Sequence, residues 1–189
     1  MDLYFKTLLV FFHFVLSAYC LVSVVRTDWK ILGSYSTPIA PELHREIVDT
    51  KAVMPHALAA LWLTGLLIVA YGVYTDPGYL DNQKLWFKLF VVAVLTLNGL
   101  LIHRFAPAVR PGVVLAELDG KTAFQLNLIG VISSLSWVWA CFVGTARAWN
   151  GTLSFSTILG FYLASLAAGI SAALLLHCRW KKKATRAHA

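Results

Sequence analysis

Four histidines and a lysine stand inside or beside long apolar runs of this chain: His13, His56, His103, His177 and Lys88. Imidazole and ammonium groups are costly in hydrocarbon, so each needs a partner or a task. At about 100° per residue, Lys6, His13, Ser17 and Cys20 fall on one helix face. Further along, Lys84, Lys88, Gly99 and His103 fall within an arc of roughly 100°, with Asn98 at its edge. If the apolar runs cross a membrane in alternation, His56, His103 and His177 lie near one surface. His13 and Lys88 then lie toward the other.

A b-type haem takes neutral imidazoles facing each other from different helices, with small residues beside them to admit the flat ring. His56 and His103 have the chemistry for that pair, and Gly99, one turn from His103, leaves room. A side chain at Gly99 is therefore expected to do more harm than one at Gly151. Copper or zinc accepts the imidazoles of His13, His56, His103 and His177, but also favours a carboxylate or thiolate. Cys178 adjoins His177. The plainer alternative is that histidines near helix ends sit at the lipid headgroup level and bind nothing. Asn98 is better placed to hydrogen-bond a neighbouring helix than to face a cofactor.

The elements that would carry these residues are membrane helices. Of 189 residues, 59% are hydrophobic and 13% charged, and the mean hydropathy is +0.70. A soluble domain needs more charge on its surface. Five apolar blocks, at 5–25, 53–75, 84–106, 122–147 and 153–178, each reach the roughly 20 residues that span a bilayer. The fold class expected is an all-α integral membrane bundle of five transmembrane helices in one domain, 1–189. The first block has a thin basic start and no small-residue cleavage site, so it reads as a retained helix rather than a signal peptide. Three cysteines without a CxxC pair give no disulfide or zinc framework.

Lys and Arg set the orientation. Only Lys6, Lys84, Lys88 and Arg147 fall on one side of the alternating spans; the other twelve of 16 fall opposite. The N-terminus is expected outside and the C-terminus inside. The net charge of +7 then reflects topology and anionic lipid, and calls for no nucleic acid. Residues 26–52 read as a cytoplasmic loop with a short surface helix opening at Pro41. Its charges, including Asp28, Glu42, His44, Glu46 and Asp49, read as solvated or as a docking surface. Pro107 is expected to stop the third helix, and 179–189 form a basic cytoplasmic tail. Gly130, Ser134, Trp137, Cys141 and Gly144 form one stripe, and Ser165, Gly169 and Ala173 another. Small residues at that spacing make helix–helix seams. Asn150-Gly151-Thr152 matches a glycosylation sequon beside the membrane.

The first helix with His13, "WLTGLLIV" in the second and "KLWFKLFVVAVLTLNGLLIHR" in the third together resemble a known core over about residues 5–106. It is the four-helix core shared by CopD-type copper-resistance membrane proteins and HemJ-type protoporphyrinogen oxidases. His13 matches the histidine of the family's first helix, and Lys88 the lysine that opens its third, with Asn98 in the downstream slot. The resemblance implies a haem-associated bundle with His13 as one ligand. The expected function is haem b binding for electron transfer or porphyrin redox chemistry, with His13, His56, Lys88, Gly99 and His103 at the cofactor. Two alternatives stand beside it. One is a copper or other metal-ion transport or resistance protein. The other is a non-catalytic accessory subunit of a larger membrane complex. The partners expected are the lipid bilayer and a membrane protein or second copy, in a bacterial inner membrane. No reaction is assigned.

Overall fold

A computed structural model describes residues 2–105 and 108–187, with side chains from 4 to 104 and from 108 to 181. It is all-helical: α1 (Asp2–Gly33), α2 (Pro41–Thr75), α3 (Gln83–Phe105), α4 (Gly120–Thr145) and α5 (Phe155–Ala187), with short 3₁₀ turns between them. All five are long and apolar enough to cross a membrane, so the chain is an integral membrane protein. Helices are what apolar segments must form in lipid, because each backbone N–H and C=O then finds its partner within the segment.

Two boundaries differ from the sequence reading, and both matter. The first helix does not end near residue 25 but continues two further turns to Gly33, carrying Asp28 into the bundle while Arg26 and Lys30 stay on its surface. The helix opening at Pro41 does not stop before the second span; Pro41–Thr75 is one continuous helix of 35 residues. At 1.5 Å per residue it is about 52 Å long, well beyond the roughly 30 Å of bilayer hydrocarbon. Its first turns therefore project, where Glu46 pairs with Arg26 at 3.2 Å and with Lys30. Pro107 and the side chains of Lys182, Lys183 and Arg186 lie outside the described residues.

In packing, α1 lies between α2 and α4, and α4 between α1 and α3, with α5 against α4 and α3. By contrast α2 and α3 touch only sparsely. The α4 stripe faces α1: Cys141 Sγ approaches the Ser17 carbonyl at 3.6 Å and Ser134 donates to Asp28. On α5, a Cβ at Gly169 would lie 2.8 Å from Leu135 and 2.9 Å from Val131, so this glycine lets the α4 side chains pack directly on the α5 backbone. Ser136–Tyr162 (2.8 Å) and Trp139–Ser165 (2.9 Å) hydrogen bonds tie the same two helices. The core is Cys20, Leu61, Phe87, Val91, Trp137 and Tyr162 with their neighbours.

One end of the bundle carries the α1–α2 and α3–α4 connections and the end of α5; most of the basic residues lie there. The two connections zip together through backbone bonds Ile39 N–Val113 O (3.0 Å), Gly112 N–Ile39 O (2.9 Å) and Ala116 N–Tyr35 O (2.9 Å). Gly112 turns with φ +83°, a conformation side chains disfavour. Tyr35, Ile39, Leu43, Val109 and Leu115 form a second small core that floors this basic end.

Candidate functional site

Because α2 and α3 splay apart, a cavity of about 410 Å³ opens in front of α1 and α4, above that floor. Its volume lies within the roughly 300–1,000 Å³ of small-molecule sites. Val24, Met54, Leu58, Leu95 and Ile129 make much of its wall, with Trp62 and Trp137 as larger flat surfaces. At one edge, Trp62 bridges α2 to α3 by donating to Thr96 at 3.0 Å. Pro55, Ala59, Leu100 and His103 line the cavity yet are exposed on the outer surface, so it opens sideways between α2 and α3.

Its polar groups come from all four helices. Asp28 of α1 takes one hydrogen bond, from Ser134 of α4. Thr27 and Thr50 bond each other at 3.2 Å and are satisfied. Lys51 is half-buried and takes part in none of the ion pairs among the described residues. Pro55 has no N–H, so the Lys51 carbonyl loses its helical donor on this wall. Asn98, 3% exposed, donates through Nδ2 to the Ile129 carbonyl at 3.2 Å, as expected for a contact between helices. Its buried Oδ1 has no partner. Ser133 completes the set.

The residues singled out in the sequence fall in four places. His103 and Gly99 line the cavity, and a Cβ at Gly99 meets nothing within 4 Å. Gly99 faces open space beside His103, so a side chain there would enter the cavity rather than a packed neighbour. Gly151, with φ +68°, is the glycine whose replacement strains the backbone. His56 is exposed, and its Nδ1 lies 3.1 Å from the Ala52 carbonyl of its own helix. It lines no part of the cavity, so the expected His56–His103 pair is not assembled there. His177 sits on the floor instead, its Nδ1 2.8 Å from the Tyr35 hydroxyl. That hydroxyl also accepts from Asn127 Nδ2 at 3.0 Å. Burial pushes the Tyr35 phenol above its ordinary pKa, and the Asn127 bond opposes this in part. Trp180 stacks on the same ring at 4.6 Å between centroids. His177 thus fastens α5 to the α1–α2 connection.

His13 and Lys88 form a separate group toward the other end. Thr64 donates its hydroxyl proton to the Ala60 carbonyl at 2.8 Å, leaving its oxygen to accept from His13 Nδ1 at 2.7 Å. His13 Nε2 is then the unprotonated nitrogen. Gly65 leaves room for the ring, whose Cε1 lies 3.4 Å from where a Cβ at Gly65 would be. Lys84, expected on the same face as Lys88, is buried and caps the outer turn: Nζ donates to Ala146 O at 2.6 Å and Asn150 Oδ1 at 2.9 Å. The sequon asparagine therefore has a structural partner. Among the described residues, no three His, Cys, Asp or Glu side chains stand together as a metal site, so His13, His56, His103 and His177 do not form one.

Asp28 is the residue the sequence reading misplaced, as a loop charge. A signal was available: Val24, Asp28 and Ile31 recur at helical spacing, so the face continues past Arg26. No protein-family model, curated protein or solved structure matches this chain.

Proposed function

We propose that this protein is a membrane-embedded binding protein for a small amphipathic molecule, held in the cavity between α1, α2, α3 and α4. One observation carries the reading: an apolar cavity of about 410 Å³ opens sideways between two membrane helices and holds Asp28, Lys51 and Ser133 on its wall. Charged groups inside a bundle mark substrate sites when no structural partner consumes them. The Lys and Arg asymmetry favours an N-terminus outside, and on that reading, in a bacterial inner membrane, the cavity would lie in the cytoplasmic half. An active periplasmic phosphatase fused after the last helix would overturn that orientation.

The test is mass spectrometry of the intact chain, released from mild detergent, for wild type and Gly99→Leu. A leucine fills the cavity where no atom lies within 4 Å. Wild type should retain an amphipathic molecule, up to the mass of a phospholipid, that the variant loses. An equal mass adduct on both proteins, or on neither, refutes the reading.

Haem b, with an electron-transfer role, is a second reading, favoured by His103 and Gly99 lining the same cavity. The residues fit one axial imidazole, from His103, and not two, because His56 lies outside the cavity wall. Such a haem would bring a redox-active iron. The chain would supply the His103 nitrogen, the flat walls of Trp62 and Trp137, and Lys51 for a propionate. A reducible Soret band that His103→Ala abolishes and His56→Ala leaves unchanged would select this reading.

A further inference from the structure

The cavity's charges specify more than an apolar guest. Asp28 and Lys51 are the acid and the strong base on its wall, His103 being the third titratable group there. They lie on adjacent helices, at the level where Thr27 and Thr50 bond across, yet they do not pair with each other. The pairing carboxylate of this region, Glu46, is taken by Arg26 and Lys30 on the outside. An ionised carboxylate offers about four lone-pair sites, and Asp28 uses one, for Ser134. Lys51 has three donors to give. Opposite charges left unpaired in a low-dielectric site are costly until something bridges them.

We propose that the cavity takes a zwitterionic aminophospholipid, with its primary ammonium at Asp28, its phosphate at Lys51, and its glycerol and upper acyl chains against the apolar wall. This rests on the cavity being the binding site. A primary ammonium brings three N–H donors. Asp28 of α1 and Ser133 of α4 line the cavity with acceptor oxygens, Asn98 lines it too and carries an unpartnered Oδ1, and Pro55 leaves the carbonyl of the lining residue Lys51 without its helical donor. A quaternary ammonium has no N–H to give them, although Trp62 and Trp137 would attract its charge. A purely anionic lipid would satisfy Lys51 and leave Asp28 opposed. The sideways opening between Pro55, Ala59 and Leu100 lets such a molecule enter from the leaflet without leaving it.

The experiment mixes the full chain in mild detergent with phosphatidylethanolamine, phosphatidylcholine or phosphatidylglycerol of identical acyl chains. Bound lipid is counted by native mass spectrometry. Wild type should prefer the ethanolamine lipid roughly tenfold, about 1.4 kcal/mol. Asp28→Asn should erase that preference, and Lys51→Gln should weaken both phosphatidylethanolamine and phosphatidylglycerol. Should Asp28→Asn fail to fold, the Lys51→Gln result and the wild-type lipid order decide alone. Equal retention of the three lipids, a preference for choline, or an unchanged preference in Asp28→Asn overturns the proposal. Loss of all lipid in Gly99→Leu with no headgroup preference in wild type would sink this inference and leave the cavity reading intact. Lipid bound equally by wild type and Gly99→Leu would sink both.

Discussion

A methyl group at Gly169 should harm this protein more than an isobutyl group at Gly99. At Gly169 the added Cβ alone would stand 2.8 Å from Leu135 Cδ1 and 2.9 Å from Val131 Cγ1. Leu135 can swing its methyl aside, but Val131 is β-branched and held near one rotamer in a helix. The helices must therefore part. Overpacking of this kind costs about 1–3 kcal/mol, a factor of roughly 5 to 150 in the folded-to-unfolded ratio. At Gly99 nothing lies within 4 Å of an added Cβ, so a leucine extends into the cavity instead of a packed seam, and stability should stay within about 0.5 kcal/mol of wild type. The assay is the midpoint of heat-induced loss of the monodisperse peak in detergent, run beside ligand retention. Gly169→Ala should lower the midpoint and keep the ligand; Gly99→Leu should keep the midpoint and lose the ligand. If Gly99→Leu melts as early as Gly169→Ala, the cavity is closed in solution and the reasoning from open space fails.

Three other changes have defined outcomes. Gly72→Ala places a Cβ 2.4 Å from the Tyr79 ring and should cost about 1–3 kcal/mol, much of it recovered in Gly72→Ala/Tyr79→Ala; additive losses in that double mutant would show the two do not touch. Tyr35→Phe strands Asn127 Nδ2 and His177 Nδ1, a loss of about 1–3 kcal/mol, and should speed tryptic cleavage at Arg179 and Lys181. Cleavage at the wild-type rate would mean that the Tyr35 hydroxyl does not hold the end of α5. Asp119 caps α4 by accepting from Lys121 N and Thr122 N, and its bonds with Thr122 hold its carboxyl below the ordinary value. A depressed acid contributes stability above the ordinary carboxylate range and loses it as pH falls through the folded pKa. Asp119→Ala should therefore melt earlier than wild type at neutral pH, with the gap closing in acid; a gap that persists at low pH contradicts the capping role.

The helices were legible because bilayer length and hydropathy are properties of single segments. So were the contacts that a stripe of small residues implies: Gly169 packs where its spacing put it, and Asn98 reaches α4 as its position off the polar face of α3 suggested. The histidines were not legible in the same way. His56, His103 and His177 share a depth if each helix is read alone. Yet depth leaves the rotation of one helix about another free, and rotation separates an exposed His56 from a His177 bonded to Tyr35. The tyrosine partner is 142 residues away in sequence, beyond any local pattern.

The cavity escaped for a deeper reason. Its walls are ordinary apolar helix faces; what makes it a cavity is how sparsely α2 and α3 touch, and contacts that do not form leave no mark in either segment. What does leave a mark is the chemistry such a gap retains. Asp28 stands at helical spacing between Val24 and Ile31, and Pro55 stands mid-helix four residues after a lysine. Each is unfavourable in a sealed bundle, one as a charge in an apolar face, the other as a break in the backbone ladder. They belong to different helices and line the same space. Two local costs converge on one cavity, and a ligand that uses both, as proposed, would account for them together where two separate defects would need two accounts.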